Sequence, residues 1–140
     1  MLKTIVGITA LVLALTVHAF AASNADQEQT AIKAAESWLA LVDGGKYGRS
    51  WRESSEHFRT AVSKEQWKQS LTAVRRPLGR LVSRKVRDVL RTTSLPGAPD
   101  GDYVVIRFAT SFEKKKSAIE TVTPMRERNG TWRVSGYYIK

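Results

Sequence analysis

The hydrophobic positions in the first half of the chain recur at steps of three and four residues, the spacing of one face of an α-helix. This spacing predicts a helix over residues 26–42, preceded by a flexible polar leader around 23–29 and closed by the double glycine that follows it. A second, shorter helix is expected over 46–53. A third should open at Ser63 and Gln66, which have the spacing of a capping box. The first half of the chain is therefore expected to be helical.

After Gly79 the hydrophobic positions alternate with polar ones, as in a strand with one buried and one solvated face. Strands are expected around residues 82–91, over 103–113, around 118–126 and over 132–138. The asparagine–glycine pair before the last strand indicates a tight hairpin. Helices followed by an antiparallel meander predict an α+β fold, in which N-terminal helices pack on a curved four-stranded antiparallel sheet.

The first predicted strand has two chemically different faces. The residues expected to face the core are Val82, Val86 and Leu90. Those expected on the opposite, solvated face are Lys85, Arg87, Val89 and Arg91. Alternate residues of a strand project to the same side, so this phase should collect positive charge on one surface of the sheet.

Residues 1–21 have the three parts of a secretory signal peptide. Lys3 supplies the positive charge, residues 5–17 are apolar, and small residues stand before the expected cut. The apolar run is shorter than the roughly 20 residues of a membrane-spanning helix, which is the alternative interpretation. Cleavage after Ala21 is therefore expected. It would leave one domain over 22–140, periplasmic or secreted, with no transmembrane segment.

The chain is basic and has no cysteine. It has 23 Lys and Arg against 13 Asp and Glu, a net charge of +10. Without disulfide bonds, the domain must be stabilised by its core alone. Positive charge outside the cytoplasm favours anionic partners such as lipid headgroups, envelope polymers or acidic protein faces, although it can also serve only solubility. Nucleic acid is not expected as a partner, because it is scarce outside the cell's interior.

Few residues suit metal, nucleotide or nucleophile chemistry. His57 is the one histidine after the predicted signal, so a nitrogen or sulfur metal site lacks ligands. There is no phosphate-binding glycine loop and no G-x-S-x-G turn. We therefore expect no cofactor, no metal and no nucleophilic triad.

Seven stretches of the chain together form a recognisable family pattern. They are AAESWLALVDGGKYGRSW, SSEHFR, EQW, RRPLGR, LPGAPDGDYVVIRF, ETVTP and NGTWRVSGYYIK. They cover nearly all of the chain after the signal, and they resemble the bacterial family called domain of unknown function 4019, a family of small exported proteins. The order of elements is also similar to the nuclear-transport-factor-2-like and cystatin-like folds, which implies a cone-like sheet around the helices. The family has no assigned activity, so the resemblance implies no functional residues.

Two carboxylates are candidates for a catalytic base. Enzymes with the cone-like fold can use one buried carboxylate, because an apolar pocket raises its pKa. Asp88 and Glu120 each fall in phase with neighbouring apolar residues, so either can face inward. Arg84 and Arg107 on neighbouring strands are available as ionic partners, which favours a structural ion pair over catalysis.

The strongest surface feature is a basic cluster over residues 75–91, which has seven Lys and Arg residues against the single acid Asp88, with a second run of lysines at 114–116 in a predicted turn. Arginine suits the bidentate capture of phosphate or carboxylate. Tyr137 alternates with Tyr138, which is expected in the core, and should therefore lie on the sheet surface near the basic residues. The residues expected to bind an anionic partner are Lys85, Arg87, Arg91, Arg107 and Tyr137.

Three hypotheses for function follow from these patterns. The leading one is a non-catalytic exported domain that binds an anionic envelope component, a protein partner or a small ligand. The alternatives are a small enzyme that uses Asp88 or Glu120, and a purely structural accessory protein. The burial of the two carboxylates separates the first two.

Overall fold

A computed structural model describes the chain over residues 11–140, with its side chains from residue 23 onwards. In this part of the chain, four helices and a short 3₁₀ turn precede four strands. The helices are α1 (Leu11–Asp43), α2 (Tyr47–Arg52), α3 (Glu56–Ala61) and α4 (Lys64–Arg75), and the 3₁₀ turn is Arg76–Leu78. The strands are β1 (Leu81–Thr92), β2 (Tyr103–Phe112), β3 (Lys115–Arg126) and β4 (Trp132–Ile139). The predicted α+β fold is confirmed.

All side chains of the predicted signal peptide, residues 1–21, lie outside the described part of the chain. Residues 1–10 lie outside the described residues, and cleavage after Ala21 stays a prediction. Within residues 11–140, no helix combines the length and the apolar composition needed to cross a membrane.

The segment at residues 23–29 belongs to α1, so the prediction of a flexible leader there is wrong. The segment has no glycine or proline to interrupt a helix, and its alanine, glutamine and glutamate residues favour one. It also touches the sheet. Trp132 Nε1 donates to Gln27 Oε1 at 3.0 Å, and Arg91 Nη1 donates to Asn24 Oδ1 at 3.3 Å. These contacts hold the start of the domain in place.

Side-chain caps define the starts of two helices. The capping box of α4 is confirmed, because Ser63 Oγ accepts from the Gln66 backbone N–H and the Gln66 side chain accepts from that of Ser63. The sequence pattern missed α3, which is only six residues long and begins at the N-cap Ser55. Its one strong signal was that serine cap, because no hydrophobic period can develop over so few residues.

The four strands form an antiparallel sheet in the order β1-β2-β3-β4. One face, called here the inner face, packs against the helices, and α1 contacts β2, β3 and β4. The core lies between them. It contains Trp38, Leu39 and Val42 of α1 and Ile106 and Phe108 of β2. The opposite surface is called the outer face.

A bulge in β1 reverses the predicted phase of that strand. Val86 pairs with Phe108 and Asp88 pairs with Arg107, so Arg87 is an extra residue. Beyond the bulge, odd-numbered residues face inward. Leu90, predicted to be in the core, is therefore on the outer face and 61% exposed.

A second irregularity in β1 leaves Val82 as the extra residue between the pairs made by Leu81 and Ser83. Val82 is exposed, and Val86, at the sheet edge, is also partly exposed. The predicted core face is therefore wrong for Val82 and Leu90, whereas Val86, which pairs with the buried Phe108, lies on the predicted side of the strand but is 38% exposed. Each bulge inserts one residue into a two-residue repeat, and every side chain beyond it changes faces.

Strand β4 also contains a bulge. Pro124 pairs with Val134, but Thr123 pairs with Gly136, so one residue of β4 is extra. The inward phase consequently passes to Tyr137, which pairs with the buried Val122. The positions predicted for the two tyrosines are thus exchanged, since Tyr138 faces outward and is 56% exposed.

Candidate functional site

The most polar part of the interior is centred on Glu120, whose side chain is 0% exposed. Its carboxylate accepts from Arg84 Nε at 2.7 Å, from Arg84 Nη2 at 3.2 Å and from Thr110 Oγ1 at 2.6 Å. The hydroxyl of Tyr137 also donates to it. The prediction that Glu120 can face inward, with Arg84 as its partner, is confirmed. Burying a carboxylate is costly unless hydrogen-bond donors and an opposite charge compensate for the lost water, as these donors do.

Arg84 joins Glu120 to the helical layer. Its Nη1 and Nη2 donate to the two carboxylate oxygens of Asp43, at 2.8 and 2.9 Å, where α1 ends. Asp43 also accepts from Arg75 Nη2 at 2.8 Å. The Arg75 guanidinium lies 4.8 Å from the ring centroid of Phe112, a cation–π contact. We call Asp43, Arg75, Arg84, Glu120 and Tyr137 the inner network.

Burial and charge act in opposite directions on the groups of this network. Burial by itself raises the pKa of Asp43, but hydrogen bonds and positive charge from Arg84 and Arg75 outweigh it and lower that pKa. Burial by itself lowers the pKa of Arg84, and its two carboxylate partners raise it instead. Burial and the nearby Glu120 both raise the pKa of Tyr137. Tyr137 is therefore held as a neutral hydrogen-bond donor.

The other candidate base, Asp88, lies on the outer face. Its carboxylate accepts from Arg107 Nε at 2.7 Å and Arg107 Nη2 at 2.6 Å, a bidentate ion pair whose carboxylate side chain is 42% exposed. The predicted partner Arg107 is confirmed, and the inward position is wrong because of the β1 bulge. Both candidate carboxylates are thus ion-paired, and Glu120 lines none of four surface grooves of about 320 to 710 Å³.

Cation ligands are not grouped in the described part of the chain. No cluster of three or more His, Asp or Glu side chains that could hold a metal ion occurs there. The two carboxylates of the inner network instead accept hydrogen bonds from Arg75, Arg84, Thr110 and Tyr137, while Arg75 Nε and Nη1 are buried without a hydrogen-bond partner among the described residues.

A shallow groove of about 710 Å³ lies on the outer face, at the end of the sheet where β2 turns into β3. We call it the outer groove. Its exposed charged residues are Lys85, Arg87 and Lys116, and no Asp or Glu lines it. Ser83, Ser111 and Ser117 contribute hydroxyl groups. Arg84 and Thr110 also line the groove, but their side chains are bonded to Glu120. The groove therefore offers cations and hydroxyl donors to an anion.

The structure separates the residues that the sequence placed in one binding site. Lys85 and Arg87 line the outer groove. Arg91 faces inward opposite Val104 and pairs with Asp102, Nη2 to Oδ2 at 2.8 Å. The prediction that these three residues share one strand phase is wrong, because the bulge at Arg87 lies between them.

The remaining two predicted binding residues also lie elsewhere. Arg107 is on the outer face, as predicted, but its guanidinium is occupied by Asp88. Tyr137 belongs to the inner network and packs edge-on against Trp38, with ring centroids 5.3 Å apart. The prediction of a surface position for Tyr137 is wrong.

Two sets of residues escaped the sequence pattern. Lys116 was visible as part of a lysine run, but only the pairing of β2 with β3 places it beside Lys85. Arg75 was noted as part of the basic cluster, but nothing in the sequence indicated its contact with Asp43, because charged residues are ordinary at the ends of helices. Their contact is long-range and depends on how α1 and α4 pack.

Comparison with known proteins gives a family but no characterised relative. No curated protein and no solved structure matches the chain significantly. The family model described as protein of unknown function, DUF4019, matches residues 34–137, which include the helices that frame the inner network and nearly all of the sheet. This chain belongs to the DUF4019 family.

Proposed function

We propose that this protein is an exported, non-catalytic binding domain that docks on anionic phospholipid surfaces through the outer face of its sheet. The observation that carries the proposal is the outer groove, where Lys85, Arg87 and Lys116 are exposed without any lining carboxylate. Cations near an anionic membrane surface contribute about 1 kcal/mol of binding each. Phosphate groups of lipid headgroups fit the lysine, arginine and serine donors of the groove.

The shape and the apolar residues of the outer face favour a surface over a small molecule. The groove is shallow, and no described helix packs on this face. Leu90 and Tyr138 project from the same face and are more than half exposed. Exposed apolar and aromatic side chains beside cations are typical of proteins that bind at a membrane interface. We therefore propose a lipid surface, and not a small molecule, as the binding partner of the outer face.

The enzyme hypothesis has less support. Asp88 and Glu120 are its two candidate bases, and each is held in an ion pair by an arginine. Glu120 also accepts from Thr110 and Tyr137, so its oxygens already have donors. A general base needs a free acceptor within reach of substrate.

The experiment is co-sedimentation with vesicles that contain phosphatidylglycerol, compared with vesicles of phosphatidylcholine alone. We expect binding to the anionic vesicles at low salt, weaker binding as salt rises, and little binding to the neutral ones. The triple variant Lys85→Glu, Arg87→Glu and Lys116→Glu should bind at least about 100-fold more weakly, because it loses about 3 kcal/mol of attraction before repulsion is counted.

The matched control reverses three exposed lysines elsewhere, Lys33, Lys46 and Lys68, to glutamate. It has the same net charge as the groove variant, so a purely global charge effect would weaken both equally. Equal binding by the two triple variants, or no binding by the wild-type protein at low salt, would contradict the proposal. Both variants should fold, since exposed substitutions usually change stability by less than about 0.5 kcal/mol each.

Export is part of the same proposal and rests on residues 1–21 alone. N-terminal sequencing of the protein recovered from the periplasm or medium should begin at Ala22 or Ser23. Recovery of the protein only from the membrane fraction, with Met1 intact, would contradict it.

A further inference from the structure

A second basic groove, of about 420 Å³, lies at the far end of the sheet from the outer groove. We call it the arginine groove. It is formed where α2 ends, α3 begins and the turn between β3 and β4 comes close to them. Its arginines are Arg52, Arg59, Arg128 and Arg133. Glu56, Glu127 and Asn129 complete the lining.

Backbone contacts hold part of this groove in position. Arg59 Nε donates to the Ser54 carbonyl oxygen, and Arg133 Nη1 donates to the Glu53 carbonyl oxygen, each at 3.2 Å. These bonds orient two guanidinium groups and use only one N–H of each. The remaining N–H groups can bind an anion in the bidentate manner that arginine favours.

One of the two glutamates has a structural role. Glu127 Oε1 accepts from the backbone N–H of Glu56 at 2.9 Å, which ties the turn between β3 and β4 to α3. Among the described residues, Arg84, Arg91 and Arg107 form ion pairs with carboxylates, whereas none of the four arginines of this groove does. Four arginines against two glutamates leave the groove with positive charge.

The two grooves are well separated and share no lining residue. Lys116 stands near the start of β3, and Arg126, just before the arginine groove, ends it. At about 3.3 Å per residue of strand, the two sites lie roughly 30 Å apart. The outer groove opens on a sheet face, while the arginine groove lies beside β4, an edge strand.

We infer that the arginine groove is a second binding site for phospholipid phosphate groups, and that the domain uses its two grooves to bridge two anionic membrane surfaces. This inference rests on the proposed function of the outer groove. The outer groove opens on the sheet face away from the helices, whereas the arginine groove includes Arg52 of α2 and Arg59 of α3 in the helical layer. One flat membrane therefore cannot cover both grooves, but two facing membranes can. In a bridging domain, the outer groove would bind one membrane and the arginine groove the other.

The experiment follows vesicle clustering and vesicle binding in parallel, with phosphatidylglycerol vesicles and the full mature protein. Light scattering reports clustering, and co-sedimentation reports binding. The wild-type protein should cluster the vesicles. The variant Arg52→Glu with Arg128→Glu should cluster them at least about fivefold less while its co-sedimentation falls by less than about twofold, because the outer groove remains. Lys33→Glu with Lys68→Glu is the charge-matched control and should still cluster.

The side chains of the two substituted arginines are exposed and have no hydrogen bond to another described residue, so folding should survive, and circular dichroism checks it. If the reversal disturbs folding, Arg52→Gln with Arg128→Gln serves the same test and should also reduce clustering.

Three other outcomes of the vesicle experiment would contradict the inference or the proposed function. Clustering that persists in the arginine variants would overturn the inference. Wild-type binding without clustering would overturn the inference and leave the proposed function intact. Absence of wild-type binding would overturn the proposed function itself.

Discussion

Each face of the sheet has an ion pair between a carboxylate and an arginine, but the pair on the inner face is largely buried and the pair on the outer face is exposed to solvent. On the inner face, Glu120 is buried and bonded to Arg84, Thr110 and Tyr137. On the outer face, Asp88 and its partner Arg107 form an equally well aligned bidentate pair in contact with solvent. The inner pair is part of a network that joins three strands to two helices, and the outer pair links two adjacent strands. Geometry alone therefore does not tell which ion pair matters to the fold; burial does.

The basic residues of the two faces differ in the same way. In the inner network, Arg84 forms ion pairs with Asp43 and Glu120, and Arg75 forms one with Asp43 through Nη2. Lys85, adjacent to Arg84 in sequence, lies on the other side of the strand with no carboxylate beside it in the outer groove. Basic residues that are adjacent in the sequence therefore have different roles, because Arg84 belongs to the inner network and Lys85 is exposed in the outer groove.

The largest expected effect comes from breaking the inner pair. Glu120→Ala leaves Arg84, Thr110 and Tyr137 as buried donors without their acceptor, which typically costs about 3 to 5 kcal/mol. Asp88→Ala removes a carboxylate from the outer pair, where water replaces it, and should change the free energy of unfolding far less. Urea unfolding of both variants measures the difference. Similar losses for the two would show that burial does not separate the faces.

A smaller effect is expected from pH, through Asp43, which is partly exposed. Its pKa in the folded state lies below the ordinary value of 3.8, because its arginine partners outweigh its burial. A carboxylate with a lowered folded pKa stabilises the fold above its unfolded pKa, and this contribution is lost as pH falls through the folded value. The wild-type protein should therefore lose more stability between about pH 7 and pH 3 than Asp43→Asn.

Urea unfolding at the two pH values checks this expectation. Asp88 and Glu113 also have lowered pKa values, but they are present in both proteins. The difference between the proteins therefore isolates Asp43. Parallel losses in the two would mean that Asp43 contributes nothing to acid sensitivity.

The sequence by itself determined the class of fold and much of its layout. Helical spacing located α1, the capping box located the start of α4, and alternation with turn residues located the strands. These signals are local, because a cap or a hydrophobic repeat is read over a few consecutive residues. The same kind of signal found Glu120 and both ion-pair partners, since no bulge separates Glu120 from its apolar neighbours on β3.

Tertiary structure decided which side chains share a face and which share a site. The extra residues of β1 and β4 moved Leu90 and Tyr138 outward, and Arg91 and Tyr137 inward. A bulge is a property of a strand and its partner together, so one strand's pattern does not contain it. The outer groove joins Lys85 of β1 to Lys116 of β3 across β2, and the inner network joins Asp43 to Glu120 across two layers. These long-range contacts depend on the pairing register of the strands and on the packing of the helices, and no local repeat in the sequence encodes either.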